Sequence, residues 1–246
     1  MYFQNASNKS DGSKNKEEKA IAVISNNVSV TYDENHESNV GSYEIKNPDG
    51  CNLIEVPSKE IESRDVIMNK LRNETVLGKI VVRILGSPGT LHITNMDNVT
   101  VLCGPVRTSI FVENCVNCDF VVACQQLRIH TTRQSNFYLH VTSKVIIFLS
   151  KIDTSLAYLF EIKLKLKKLY IQKSLLQAII EDCRSVGFAP YSLSYTQLDD
   201  DFLKSGLSKE INNWNDIDDF NWLSTEKRSP NWHIVEENCR KNDWLL

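Results

Sequence analysis

The chain has 246 residues, 41% of them hydrophobic and 24% charged, with a formal net charge of −3. This composition allows one or two domains with a real core and gives no electrostatic reason to expect nucleic acid. The seven cysteines, odd in number and without a signal peptide, read as reduced thiols, and the longest apolar tract, VIIFL at 145–149, is too short to span a bilayer, so a cytoplasmic chain is expected.

Residues 1–47 are rich in Asn, Ser, Lys and Glu, with one small apolar island at Ala20 to Ile24. That is too little apolar surface to offset ordering entropy, and the composition predicts a disordered tail or linker. A domain is expected over 48–235. It opens with short β-rich runs: KIVVRIL (79–85), TLHIT (90–94), VTVLCG (99–104), SIFVENC (109–115), CDFVVAC (118–124), QLRIHT (126–131) and NFYLHVT (136–142). Asn, Asp, Gly and Ser, which tolerate tight backbone geometry, fill the turns between them. Cys115 and Cys118 form a CxxC without a second pair at zinc-finger spacing, so they read as core cysteines and no metal is expected.

Similar strands return after about twenty residues, Cys103 sliding onto Cys124, Val101 onto Val121 and Ile110 to near Ile129, which suits a solenoid of stacked coils. Short strands with regular turns are equally the mark of an antiparallel sandwich, and the pattern alone leaves both open.

In ACQQLRIHTT (123–132) alternation puts Leu127 and Ile129 on one face of a strand and Gln126, Arg128 and His130 on the other. An outward arginine on a rigid strand is a solvated charge, a carboxylate or phosphate clamp, or a group offered to a partner's active site. Farther on, residues 145–177 contain no Gly, Pro, Asn or Cys, although an insertion that leaves and re-enters a solenoid needs turn formers. Every codon of Val145 begins with GT, and one of the two codons of Gln177 is CAG. The block therefore reads as a translated intron, with a lineage-specific long loop as the alternative. The acidic runs DDD (199–201) and DIDD (216–219) lack calcium-loop spacing and read as solvated surface, and residues 236–246 read as a flexible tail.

GPVRTSIFVENC, ACQQLRIHTT, AIIEDCRSVGFAPY and NNWNDIDDFNWL, followed by SPNW, resemble the C-terminal domain of the tubulin-folding cofactor C family and, more distantly, the related retinitis pigmentosa protein that acts on a small Arf-like GTPase. The resemblance implies an all-β fold: a right-handed, triangular parallel β-helix with a C-terminal extension packed along it. It also implies a GTPase activator, not a stand-alone enzyme. In that reading Arg128 enters the nucleotide site of tubulin held with other tubulin-folding cofactors, and hydrolysis releases the α/β heterodimer.

The chain would be monomeric on its own and carry no cofactor, since GTP and Mg²⁺ belong to the partner. Gln125 matches a position that helps arrange the catalytic site, Glu181 one that pairs with and orients the arginine, and Phe220 an aromatic that touches the partner. Gln126 and His130 share the face of Arg128 as further partner contacts. Each has a plain rival: strand packing for Gln125, solvation for Glu181, a tail anchor for Phe220 and an incidental imidazole for His130.

An activator of an Arf-like GTPase and a non-catalytic scaffold of the same fold remain the alternatives. A hydrolase in its own right is disfavoured, because no GxxxxGK[ST] loop, nucleophile elbow or HExxH occurs. Two departures from the family stand out: the absence of an N-terminal helical pattern in the tail, and the 145–177 block itself.

Overall fold

The computed structural model describes residues 22–23, 41–47, 51–72, 78–142, 178–222, 224, 226–242 and 244. The 145–177 block and most of the 1–47 stretch lie outside these described residues.

The β-rich runs stack into two parallel sheets whose strands alternate along the chain. One sheet holds β2 (Tyr43–Ile45), β4 (Asp65–Asn69), β6 (Thr90–Thr94), β8 (Ser109–Glu113), β10 (Gln126–His130), β12 (Ala178–Glu181) and β14 (Ile217–Asp219). The other holds β1 (Ala22–Val23), β3 (Leu53–Val56), β5 (Ile80–Ile84), β7 (Val99–Pro105), β9 (Asp119–Cys124), β11 (Asn136–Val141), β13 (Val186–Pro190) and β15 (Trp232–Ile234). Single parallel bridges linking Arg72, Asp97, Val116, Arg133 and Arg184 make a short third side. The result is a triangular parallel β-helix, and the sandwich alternative falls because every strand pair is parallel.

Around Asp97, Val116, Arg133 and Arg184 the short third side is entered and left through a left-handed residue. Asn114 and Asn117, at φ 51° and 54°, bracket one turn, and Thr131 and Gln134, at 46° and 48°, bracket the next. Asparagine tolerates this region better than most residues, and its amide can bond to the rung below. Asn114 Nδ2 donates to Asn95 Oδ1 at 2.6 Å, and Asn117 Nδ2 to Asn98 Oδ1 at 3.1 Å.

Inside the prism the inward positions form ladders. Phe120, Phe137 and Phe188 stack with ring centres 4.7 and 5.7 Å apart, beside a column of Leu91, Ile110, Leu127 and Ala178. Cys115 and Cys118 are buried there, and burial pushes their thiols up to about 12 and about 11, which makes them inert core residues at neutral pH.

The turns are slightly shorter than the expected twenty or so residues and vary in length. Phe111 pairs with Arg128 and Phe120 with Phe137, both 17 residues apart, whereas His92 pairs with Phe111 at 19. Val101 therefore stacks on Phe120, not Val121, and Ile110 on Leu127, not Ile129. An irregularity between Leu102 and Pro105 absorbs the changing register.

Both ends hold more structure than expected. Tyr43 and Ile45, inside the stretch assigned to the tail, are buried as the β2 rung, and Ala22–Val23 pairs with β3. At the other end the described residues 236–242 and 244 contain a 3₁₀ turn, Glu237–Cys239, and dock on the prism. The Lys241 amide donates to Tyr138 Oη at 3.0 Å, and Trp244 packs edge-on to the Tyr138 ring.

The acidic runs are only partly solvated. Asp201 is buried in the helix α1 (Leu198–Ser205) and accepts from Tyr195 Oη at 2.7 Å. Asp219 is buried and accepts from Ser229 Oγ at 2.5 Å and Asn231 Nδ2 at 2.8 Å. Each carboxylate is buried because hydrogen bonds satisfy it.

Candidate functional site

The alternation expected of ACQQLRIHTT is realised in β10: Leu127 and Ile129 are buried, Gln126 and Arg128 exposed, and His130 intermediate. Arg128 sits mid-strand between Phe111 of β8 and Ile179 of β12. Strands in a sheet lie about 4.8 Å apart, so these two half-buried apolar side chains flank the arginine stem. Among the described residues, none forms an ion pair with Arg128 or places an aromatic ring within cation–π reach of it.

Glu181 does not stack directly on Arg128. The register puts it beside His130, with Ile179 as the direct neighbour of Arg128. Glu181 is therefore the diagonal neighbour of Arg128, a separation of about 7–8 Å that long side chains span. His130 lies among carboxylates: Nδ1 is 3.3 Å from Glu113 Oε1, and Nε2 is 3.8 Å from Asp182 Oδ2.

Phe220 follows Asp219, the partner of Ile180, and its amide donates to the Ile180 carbonyl at 3.1 Å. It thus occupies the next rung beside Glu181, 55% exposed. Its neighbours are fixed. Asp219 is held as described, and Asn221 exchanges two hydrogen bonds with Asp182, at 2.7 and 3.1 Å. Gln125 occupies the corner before β10, half-buried, with its amide donating to the Thr108 carbonyl at 2.9 Å.

Gln126, Arg128, His130, Glu181 and Phe220 accordingly share one outer sheet face across three successive rungs, with Gln125 at its edge. Sequence reading missed Phe111, Glu113, Ile179 and Asp182, which complete that face. The 17-residue register would have found the first two, but it is visible only once the strands are aligned.

Fold and face together define a parallel β-helical module that carries its polar side chains on a rigid outer surface. The model of the tubulin binding cofactor C family matches residues 75–155 and 166–220, more than half of the chain, and the chain belongs to that family. The match is interrupted over 156–165, inside the 145–177 block.

The human tubulin-specific chaperone C is 40% identical over 192 residues, covering 78% of this chain and 44% of that protein. The Arabidopsis thaliana tubulin-folding cofactor C is 33% identical over 159 residues, covering 65% and 36%. The chain thus spans less than half the length of these relatives. The solved tubulin binding cofactor C from Leishmania major is similar at a TM-score of 0.43 and 20% identity, covering 66% of this chain and 89% of that one, a likeness on which no argument rests.

Proposed function

We propose that this chain is a tubulin-folding cofactor that acts as a GTPase activator, supplying Arg128 in trans to GTP bound by tubulin. The single observation that supports this most is the state of Arg128: exposed, mid-strand, flanked by Phe111 and Ile179, and without an ion pair among the described residues.

Phosphoryl transfer needs little covalent help. Charge develops on the transferred group, and a guanidinium delivered there accelerates hydrolysis by about 10³ to 10⁵. Arginine suits the task because its planar fork holds two oxygens and stays charged. A solenoid rung fixes the stem, so little orientational freedom is lost on docking.

In this reading Glu181 steadies Arg128 across the diagonal, Gln125 helps arrange the catalytic site from the edge of the face, and Phe220, Gln126 and His130 contact the partner. The nucleotide and its Mg²⁺ are the partner's. The relatives named for tubulin favour tubulin over an Arf-like GTPase as that partner.

The test is GTP hydrolysis by tubulin in the presence of the other folding cofactors, comparing wild type with Arg128→Ala. A loss of stimulated hydrolysis with the melting temperature unchanged is expected. Equal stimulation by both proteins would leave only a scaffold role, and stimulation of an Arf-like GTPase in place of tubulin would reassign the partner.

A further inference from the structure

The third side of the prism changes character along its length. Its bridge ladder runs Arg72, Asp97, Val116, Arg133, Arg184, so two arginines stand on adjacent rungs in the same turns as Arg128 and Glu181. Both are exposed. Their backbones are locked in register: the Arg184 amide donates to the Thr132 carbonyl at 3.1 Å, and the Gln134 amide to the Arg184 carbonyl at 3.2 Å. Thr132 and Cys183, their chain neighbours, point inward and are buried, which turns the arginines out.

Like charges directly opposed on neighbouring strands are unfavourable, and proteins ordinarily separate or pair them. Here no described residue forms an ion pair with either guanidinium. The carboxylate two residues before Arg184, Asp182, is already engaged by Asn221 Nδ2 at 3.1 Å and faces His130. The next connection, between β14 and β15, adds Lys227 and Arg228 against Glu226, and the Arg228 guanidinium is held 4.3 Å from the ring centre of Trp232. On a chain with a net charge of −3, this is a local basic strip.

We propose that the strip around Arg133 and Arg184 is a second interaction surface, and that it takes an acidic, carboxylate-rich peptide segment of a partner. Guanidinium forks bind carboxylates through two parallel hydrogen bonds, and fixed backbones reduce the cost of ordering the pair. Nucleic acid fits less well, because its affinity grows with the number of phosphates neutralised and the chain as a whole is acidic. The strip lies around the corner formed by Thr131 and Asp182 from His130 and Glu181, so a segment bound there would adjoin the Arg128 face without covering it.

The test uses the full chain and a fluorescein-labelled hexaglutamate peptide, followed by anisotropy. Saturable binding is expected at low salt, weakening about tenfold toward physiological ionic strength as screening sets in. The double variant Arg133→Ala/Arg184→Ala should lose binding about tenfold or more, since both forks are removed, while its melting temperature stays at or slightly above the wild-type value, since a like-charge pair is relieved. The double lysine variant should retain part of the affinity, and Arg128→Ala should bind as wild type does. Absence of saturable binding at low salt, an undiminished double-alanine variant, or tighter binding of a single-stranded oligonucleotide of equal charge would each overturn the assignment. Because the peptide assay involves no GTPase, its outcome is separate from that of the hydrolysis experiment.

Discussion

Asp119→Asn tests how the C-terminal segment is fastened. Asp119 is buried at the start of β9, and its carboxylate accepts from Lys241 Nζ at 2.6 Å, Lys79 Nζ at 2.9 Å and Asn136 Nδ2 at 3.0 Å. Burial alone would raise its pKa, but the hydrogen bonds from Lys241, Lys79 and Asn136 outweigh it and hold the carboxyl below the usual carboxylate range.

Asparagine keeps the volume and removes the charge. Breaking a fully buried pair costs about 3–5 kcal/mol because the remaining charge is stranded. Here the Lys79 and Lys241 side chains are 27% and 54% exposed and their ammonium groups can turn to water, so the cost should be smaller, about 2 kcal/mol. For a domain of this size that is a melting-temperature drop of about 4–8 °C at neutral pH.

The sign of the pH dependence follows from the lowered pKa. The stabilisation is fully present above the unfolded-state carboxylate value of about 3.9 and disappears as pH falls through the lower folded-state value. Thermal melts of wild type and variant from pH 7 downward should therefore show a constant gap that narrows below about pH 5. A gap that is absent at pH 7, or that persists undiminished in acid, would refute the reasoning.

Gly104→Ala should destabilise by about 1–3 kcal/mol, because a Cβ there would strike the carbonyl of Gly86 and the hydroxyl of Tyr195; an unchanged melt would contradict that close approach. Glu181→Gln should lower stimulated hydrolysis while moving stability by no more than about 1 kcal/mol, as befits an exposed carboxylate. Combined with Arg128→Ala in a double-mutant cycle, its effect on rate should be strongly non-additive, and simple additivity would mean that the two residues work separately. Deleting residues 145–177, so that Lys144 joins Ala178, should leave a folded protein that is more stable by about 2 kcal/mol, the closure entropy of the excursion. The paired positions Arg128 and Ile179 are 51 apart, and removing the 33 residues leaves 18, within the 17 to 19 of neighbouring turns. Amplification from messenger RNA should yield a product without the block, and only full-length product would defeat the intron reading.

The strands and the outward arginine were legible because period-2 burial is written directly into runs such as QLRIH and SIFVE. The register was not. Matching cysteine with cysteine and valine with valine assumes that a ladder repeats residue identity, whereas an inward position asks only for an apolar side chain of suitable volume, so Val101 meets Phe120 and Ile110 meets Leu127. The register also decides that Glu181 pairs with His130 and stands diagonal to Arg128.

The buried acids were hidden for a related reason. Asp119, Asp201 and Asp219 look solvated in a sequence, and only the partners that the fold turns onto them, Lys241, Tyr195 and Asn231, make burial affordable in free energy. Tyr43 was assigned to a tail because a three-residue strand carries too little pattern to stand out from its polar surroundings.

The central claim, that Arg128 acts on bound nucleotide and not merely as a surface charge, is tested most directly by Arg128→Lys in single-turnover GTP hydrolysis on tubulin with the other cofactors, with affinity for the complex measured in parallel. Lysine keeps the charge and loses the fork, so the account predicts near-wild-type affinity together with a stimulated rate lower by about 10²-fold or more, a large part of the arginine-finger effect. A wild-type rate, or a loss of affinity with no loss of rate at saturation, would contradict it.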